Sequence, residues 1–376
     1  NNSEEVFNME NRIELRPEDF GPFQKYIEQE TVTDIDFEAN EIWITDLKKG
    51  VYKVEDVVVE PDFIVRFKNM IANKVNKQFN QTDNVLEAET EDLRIEMVDS
   101  YVSRSGLSIT ARKTPVSRRL TPYLITETAY MPTPLLMFLA NCVEAQCNFA
   151  FCGKPGVGKT ELLKTMTSYI PANQKAIIIE DNPEIHYGEI NPGKFRQELK
   201  IDIDTGFDYT KAIKTALRLN PEWLILSEAR SREVSSLIEG WSTGVAGMTT
   251  LHVNDIRQVP DRIVSMAGVD AESTHLKNMV FESLDVGVLI RRKYDPRTNE
   301  TIRSVDQVCL FSRDSVESGM INNTQMLVSD GKCINYNIPD GIAKKLKMAG
   351  INKFFVNDKV QQEIERESYE AQDNES

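Results

Sequence analysis

The sequence predicts an α/β fold with two domains: a mixed α/β domain, followed by a doubly wound domain built around a parallel sheet. Its length of 376 residues suffices for two hydrophobic cores. A glycine-rich loop at residues 153–160 lies between an apolar run and a helix-forming segment, as in a strand–loop–helix unit. From Leu135 onward, apolar runs alternate with helical patterns, which is typical of a parallel sheet covered by helices.

The composition and the charge narrow the functional classes. Hydrophobic residues make up 40% of the chain and the net charge is −15, which favours a globular protein and disfavours nucleic acid as its main partner. No stretch approaches the roughly 18 apolar residues that a membrane helix requires, and the N-terminus has no signal-peptide core. We therefore expect a cytoplasmic protein without a direct membrane span. The five cysteines form no CxxC pair, so we do not expect a zinc site.

Shifts in composition predict the domain boundaries. We expect a flexible N-terminus at residues 1–20, an N-terminal α/β domain at 21–114, a linker at 115–134, a doubly wound domain at 135–315 and a C-terminal extension with an acidic tail at 316–376. Four prolines in the linker favour a connector with a hinge near residues 121–133. The acids of the tail favour a solvated or disordered segment.

Within these domains, the spacing of apolar residues predicts three local elements. Apolar residues at helical spacing predict a helix over residues 63–79, and a second helix is expected near 342–349. Residues 93–98 and 107–113 alternate between apolar and polar side chains around a polar turn, which predicts a β-hairpin.

The loop at residues 153–160 reads G-K-P-G-V-G-K-T and fits the phosphate-binding pattern G-x-x-x-x-G-K-[ST]. In such a loop, backbone N–H groups surround a triphosphate, Lys159 reaches the β and γ phosphates, and the hydroxyl of Thr160 binds Mg²⁺. The sequence therefore predicts that the chain binds ATP and Mg²⁺. The expected nucleotide-binding residues are Gly153, Pro155, Gly156, Val157, Gly158, Lys159, Thr160 and Glu161.

Polar side chains follow three further apolar runs of the second domain. Residues 176–179 precede an acidic segment that ends at Glu184, residues 223–226 precede Glu228, and residues 248–251 precede His252. Because ligands bind beyond the carboxyl ends of parallel strands, we expect these side chains to gather beside the glycine-rich loop.

Phosphoryl transfer chemistry suggests a role for each of these side chains. A carboxylate can orient or deprotonate the attacking water, and Glu184 and Glu228 are the two candidates. His252 could hydrogen-bond the γ-phosphate or that water, or it could be a core histidine at a strand end. Glu180 and Asp181 could belong to the site or could cap a turn.

The order of these segments resembles one family, the traffic ATPases of the secretion superfamily, which drive type II and type IV secretion, type IV pili and tight-adherence pili. The family's Walker A loop, acidic box, Walker B segment and histidine box are similar to residues 153–160, 180–184, 224–228 and 243–252. The run L-R-L-N-P-E-W-L-I-L-S-E-A-R, which ends at Arg230, is the most specific similarity. The resemblance covers roughly residues 25–312.

The resemblance implies an N-terminal α/β domain followed by a RecA-like P-loop NTPase domain, in a homo-hexamer that hydrolyses ATP. It implies that Glu184 is the general base, that Glu228 helps hold the water shell of Mg²⁺, and that His252 is the second residue of the histidine box. The family's N-terminal domain supplies arginines to the nucleotide. Arg112 is the best match for such an arginine, with Arg94 and Arg104 next.

The chain also departs from the family pattern. Ser227 stands where glycine is usual, Val245 stands where the first box histidine is expected, and Glu161 follows the loop threonine. Val245 leaves the histidine box incomplete, which bears on the turnover rate and not on nucleotide binding. The chain lacks the tetracysteine insertion of type II secretion ATPases, so it fits the type IV secretion and tight-adherence branch better.

These observations lead to one main hypothesis and two alternatives. The main hypothesis is a hexameric ATPase motor for type IV secretion or pilus assembly, peripheral at the inner face of the cell membrane, with the membrane platform proteins of that system as partners. One alternative is a RecA-like motor that depends on nucleic acid, which stimulation of hydrolysis by DNA would indicate. The other is a non-catalytic, nucleotide-gated scaffold, which a hydrolysis rate abolished by Glu228→Gln would exclude.

Overall fold

The chain folds as two compact units in the computed structural model, which describes residues 12–203, 205–268, 274–298 and 300–375. The first unit takes in the chain up to Val116 and the segment Lys293–Ile302, and the second unit takes in the rest. The flexible N-terminus that the sequence predicts falls largely on residues 1–11, which lie outside the described residues. In the described part of this segment, Ile13 and Phe20 are buried in the core of the first unit.

The first unit contains a six-stranded antiparallel sheet. Its strands are β1 (Val32–Glu38), β2 (Glu41–Asp46), β3 (Gly50–Lys53), β4 (Val85–Glu89), β5 (Leu93–Val98) and β6 (Ser108–Lys113). They lie in the order β3-β2-β1-β6-β5-β4. The predicted hairpin is confirmed, because β5 pairs with β6 and Ile95 lies opposite Ala111. Buried and more exposed residues alternate along β5, as expected for a sheet with one face on a core.

Helices cover the inner face of this sheet with aromatic side chains. They are a 3₁₀ helix (Pro17–Phe23), α1 (Gln24–Ile27) and α2 (Pro61–Lys74). The rings of Phe23 and Phe67 pack edge to face with their centroids 5.9 Å apart. The helix α2 ends before the predicted residue 79, because Asn76 adopts a left-handed backbone conformation with φ of 52°.

The second unit is built around a sheet whose central strands are parallel. Its strands are β7 (Phe149–Cys152), β8 (Ala176–Glu180), β9 (Arg196–Lys200), β10 (Trp223–Leu226), β11 (Ala246–Leu251), β12 (Val286–Asp295), β13 (Glu300–Val316), β14 (Gly319–Ser329) and β15 (Lys332–Cys333). Their order is β15-β14-β13-β12-β7-β11-β10-β8-β9. The strands from β12 to β9 in this order pair in parallel.

Two apolar clusters cover the two faces of this sheet. The helices of the unit are α3 (Pro122–Glu127), α4 (Thr133–Glu144), α5 (Lys159–Thr167), α6 (Tyr187–Ile190), α7 (Tyr209–Leu217), α8 (Glu233–Ser242), α9 (Val259–Met266), α10 (Thr274–Ser283), α11 (Asp340–Met348) and α12 (Asp358–Glu375). Phe138 and Leu163 belong to one cluster, and Ile213 and Leu237 belong to the other. Because both faces are buried, the central strands are continuous apolar runs, which is why they could be recognised in the sequence.

The register of the central strands brings their carboxyl ends level. Cys152 lies opposite Leu251, and Leu226 lies opposite both Thr249 and Ile179. The residues that follow these four strands therefore meet at one edge of the sheet.

The two ends of the second unit contain more structure than their sequence pattern predicts. The predicted linker contains α3, and Ile125, Tyr130 and Met131 within it are buried in the unit's core. The acidic tail forms α12, which corrects the alternative of a disordered segment, although most of its side chains are exposed or half-buried. Val360 of this helix is buried and Ile364 packs against the same core, so an apolar stripe holds the tail although most of its residues are polar.

A lysine outside the motifs caps the helix that follows the glycine-rich loop. The Nζ of Lys194 donates hydrogen bonds to the carbonyl oxygens of Thr167, Ser168 and Ile170, at 2.9, 2.6 and 2.7 Å. Helix α5 ends at Thr167, so these carbonyls belong to its last turn and to the residues that follow. A cation at this end also interacts favourably with the helix dipole.

We predict that Lys194→Met lowers the free energy of unfolding by about 1–3 kcal/mol, because it removes a charged donor and leaves carbonyl groups without it. Urea unfolding followed by circular dichroism measures this loss. Lys214→Met is the matched control, since Lys214 is exposed on α7. Equal effects of the two substitutions would show that the cap does not contribute.

Candidate functional site

The loop at residues 153–160 connects β7 to α5 and needs glycine at three positions. Gly156 and Gly158 have φ values of 72° and 93°, a region that residues with a side chain rarely adopt. A Cβ atom on Gly153 would lie 2.6 Å from the carbonyl oxygen of Ile290, which is closer than such atoms approach. The loop backbone therefore takes a conformation in which successive N–H groups can face an anion.

Lys159 begins α5 and lies in the centre of the site. It is buried, and its Nζ lies 3.4 Å from the carbonyl oxygen of Lys154 and 3.4 Å from Nδ1 of His252. Burial lowers the pKa of Lys159, and the nearby charges of Glu228 and Glu184 offset only part of that effect. An anionic ligand at this amine would favour its charged form, so the position suits a phosphate.

Glu184 lies beside the first turn of α5. The hydroxyl of Thr160 donates a hydrogen bond to Oε2 of Glu184 at 3.3 Å. The backbone N–H groups of Glu184 and Ile185 donate to Oε1 of Glu180, at 3.2 and 3.1 Å. Glu180 thus caps the turn that carries Glu184, in agreement with one of the two interpretations left open by the sequence. Burial raises the pKa of Glu180, and the neighbouring charge of Glu184 raises it further.

Glu228 and His252 are in direct contact. Nε2 of His252 lies 2.6 Å from Oε1 of Glu228, and Nδ1 of His252 lies 2.9 Å from the carbonyl oxygen of Gly153. The histidine ring therefore bridges the acid after β10 and the first residue of the glycine-rich loop. This contact is consistent with a role in the site and not with an isolated core histidine.

Two arginines in the second unit contact this region, and the sequence analysis assigned neither of them a role. Arg230 donates to Oε2 of Glu228 at 2.7 Å and to Oδ2 of Asp181 at 2.6 Å. Nε of Arg303 lies 3.5 Å from the carbonyl oxygen of Gly156. The position of Arg230, two residues after Glu228, is a signal that could have identified it; Arg303 lies on a distant strand and carries no such signal.

A pocket of about 250 Å³ opens beside the loop. Its lining consists of Gly153, Lys154, Pro155, His252, Val253 and Asn254. The loop and the end of β11 thus form one concave surface.

The three arginines of the first unit occupy different environments. Nε of Arg112 donates to Oδ1 of Asp34 at 2.6 Å, and its side chain is half exposed. Arg94 lies opposite Arg112 in the register of β5 and β6, and its NH2 lies 3.4 Å from Glu87. Arg104 is exposed in the turn before β6. A role for any of them at a nucleotide stays a prediction.

The residues that depart from the family pattern pack into the second unit. Ser227 is buried, and its carbonyl oxygen accepts a hydrogen bond from the hydroxyl of Thr250 at 2.8 Å. Val245 packs against the apolar cluster that contains Ile213. Neither side chain replaces a charged group at the edge where Lys159 and Glu228 lie.

Neither a metal-binding cluster nor a membrane-spanning helix is found among the described residues. Across the described ranges, no group of three or more histidine, cysteine, aspartate or glutamate side chains could hold a metal ion. Among the helices that the structure describes, none is both long enough and apolar enough to cross a membrane.

Comparison with curated proteins supports one family. The family model for type II/IV secretion system proteins matches residues 18–340. An uncharacterized protein of Bacillus anthracis is 26% identical over 293 residues, which are 76% of this chain and 65% of that protein. The type IV secretion system protein VirB11 of Bartonella quintana is 28% identical over 176 residues, which are 44% of this chain and 48% of that protein. The matches thus span 65% and 48% of the length of these two relatives.

Comparison with solved structures supports the fold. The ATPase DotB of Yersinia pseudotuberculosis has a TM-score of 0.56 at 15% identity, over 77% of this chain and 76% of that one. The pilus retraction motor PilT with bound ADP has a TM-score of 0.54 at 16% identity, over 87% of each chain. The predicted fold class is confirmed, and the family model, which matches most of the chain, shows that this protein belongs to the type II/IV secretion system ATPase family.

Proposed function

We propose that the chain is a Mg²⁺-dependent ATPase that acts as the motor of a type IV secretion or pilus assembly system. The observation that carries this proposal is the convergence of Lys159, Glu228 and His252 at one edge of the sheet, with Thr160 and Glu184 in contact beside them. Family membership supports the motor role, and VirB11 and PilT are named for secretion and pilus retraction.

Each of the site residues has a separate role in the hydrolysis of ATP. The N–H groups of loop 153–160 and the amine of Lys159 bind the phosphates of ATP. Glu184 accepts a proton from the water that attacks the γ-phosphorus, and the bond to the bridging oxygen of ADP breaks. His252 hydrogen-bonds the γ-phosphate or that water.

The donor set beside the loop fits Mg²⁺. This ion prefers oxygen ligands and usually relies on one or two protein groups together with phosphate oxygens and water, which does not require a protein cage. The hydroxyl of Thr160 would bind it directly, and Glu228 would hold part of its water shell. Bound Mg²⁺ neutralises charge on the β and γ oxygens.

The motor role requires more than one subunit. We propose a homo-hexameric ring in the cytoplasm, peripheral at the inner face of the cell membrane, in which membrane platform proteins receive the mechanical work. Arg112, with Arg94 and Arg104, would supply positive charge to the transferred phosphoryl group. The chain passes from one unit to the other at three places, which are after Val116 and on either side of Lys293–Ile302. A movement of one unit against the other would act through these three connections.

We expect Lys159→Ala to weaken ATP binding about 10- to 100-fold, since a charged hydrogen bond contributes about 1.5–3 kcal/mol. Titration calorimetry with a non-hydrolysable analogue measures the affinity, and the melting temperature checks the fold. Lys211→Ala is the matched control, because Lys211 is exposed on α7 and belongs to neither the loop nor the pocket. Unchanged affinity in Lys159→Ala would exclude the loop as the phosphate site.

We expect Glu184→Gln and Glu228→Gln to bind ATP and to hydrolyse it more slowly. For Glu184→Gln the reduction should be about 10²–10⁴-fold, as for loss of a general base. His252→Ala should lose less, because its hydrogen bond is one of several to the phosphate. Phosphate release under saturating ATP measures the rates. Glu222→Gln serves as the control, since Glu222 is exposed at the opposite end of β10. Wild-type rates in both glutamine variants would contradict these assignments.

We expect a hexamer in the presence of a non-hydrolysable ATP analogue, and native mass spectrometry or light scattering measures the mass. Arg112→Ala should leave ATP binding largely intact and reduce turnover, because its charge is needed most in the transition state. Arg66→Ala is the control on the exposed face of α2. A strict monomer at micromolar concentration with nucleotide would count against the ring.

A further inference from the structure

We propose that Arg230 is a positioning residue that sets the orientation of Glu228, and that Asp181 in turn holds Arg230. The inference rests on the proposed ATPase function and adds two residues to which the sequence analysis gave no such role. Arg230 acts through Glu228 and is not itself placed at the reacting atoms.

The guanidinium of Arg230 joins two carboxylates from neighbouring strands. Its Nε lies 2.7 Å from Oε2 of Glu228, and its NH1 lies 2.6 Å from Oδ2 of Asp181. Asp181 follows β8 and Glu228 follows β10, and these two strands pair in parallel. Because the guanidinium is planar and its donors have fixed directions, the two short bonds define where the Glu228 carboxylate lies.

The backbone of Arg230 is also fixed. Its N–H donates to Oε1 of Glu233 at 2.7 Å, and the N–H of Ser231 donates to the same oxygen at 2.8 Å. Glu233 is buried in the first turn of α8. The arginine therefore starts from a rigid turn, which limits the directions that its side chain can take.

The charges around Arg230 favour its ion pair with Glu228. Burial opposes the charged guanidinium, but the hydrogen bond to Glu228 and the charge of Asp181 outweigh it and raise the pKa of Arg230. The other oxygen of Glu228 contacts His252. Both oxygens of Glu228 thus have a partner, one in Arg230 and the other in His252.

The expected effects on stability and on turnover distinguish a positioning role for Arg230 from a structural one. The side chain of Arg230 is 48% exposed, and pairs that are this exposed contribute little to stability. Groups that orient an active carboxylate, in contrast, commonly change activity about 10- to 100-fold when they are removed. A loss of turnover without a loss of stability is therefore the expected signature.

The first test compares turnover with binding in Arg230→Gln. We expect the turnover rate to fall about 10- to 100-fold, while the affinity for a non-hydrolysable ATP analogue and the melting temperature stay close to wild type. Arg230→Lys should recover only part of the rate, because a single ammonium cannot reproduce the fork. Arg218→Gln is the matched control, as Arg218 is exposed before β10. A wild-type rate in Arg230→Gln, or full rescue by lysine, would overturn the proposal.

The second test asks whether Asp181 acts through Arg230. Asp181→Asn alone should slow turnover less than Arg230→Gln, and the double variant should be no slower than Arg230→Gln, since residues in one network are not additive. If the two rate reductions multiply instead, the residues act independently and the chain from Asp181 to Glu228 is wrong.

The third test does not depend on hydrolysis. In ¹⁵N NMR spectra of the full chain without nucleotide, the Nε–H signal of Arg230, identified by its loss in Arg230→Lys, should be protected from exchange and should shift in Glu228→Gln. A rapidly exchanging signal that Glu228→Gln leaves in place would overturn the ion pair. Wild-type protein that hydrolyses no ATP while this signal is protected would refute the ATPase proposal and the catalytic part of this inference, but not the pairing.

Discussion

The level carboxyl ends of the parallel strands are the constraint on which the site depends. The register that places Cys152 opposite Leu251, and Leu226 opposite Ile179, determines that the next residue of each strand emerges at the same edge. Lys159 and His252, which are 93 positions apart in the chain, then lie 3.4 Å from each other. The cost of ordering these side chains is met by the two apolar clusters that cover the sheet, so the site itself can remain polar and partly hydrated.

The electrostatics of this edge follow from the same geometry. A buried amine and several carboxylates lie close together where the buried strands end. Because the effective dielectric constant is lower there than in water, each charge has a larger effect on its neighbours than it would have in water. Lys159 has its pKa lowered by burial, while Glu228 is held by Arg230 and His252. An anion bound at this edge would offset the cost that burial imposes on the charged form of Lys159. The site is therefore suited to an anionic ligand more than to a neutral one.

Much of the fold and of this site could be predicted from the sequence, because the relevant signals are local. Continuous apolar runs identify β7, β8 and β10, and polar residues directly after them identify the edge. Contacts between distant segments could not be predicted in this way, and they include the pairing of Arg230 with Asp181 and the Lys194 cap on α5. The helical acidic tail was missed because its apolar stripe is narrow and its composition suggests disorder. The roles of Arg94, Arg104 and Arg112 stay predictions.

A structure of the chain with Mg²⁺ and a non-hydrolysable ATP analogue tests the central claim most directly. The account requires the γ-phosphate within hydrogen-bond distance of Lys159 Nζ, Mg²⁺ about 2.0–2.1 Å from the Thr160 hydroxyl, and Glu228 in contact with a water of that ion. Nucleotide bound elsewhere on the chain, or bound here with Glu184 and Glu228 turned away from the γ-phosphate, would contradict it.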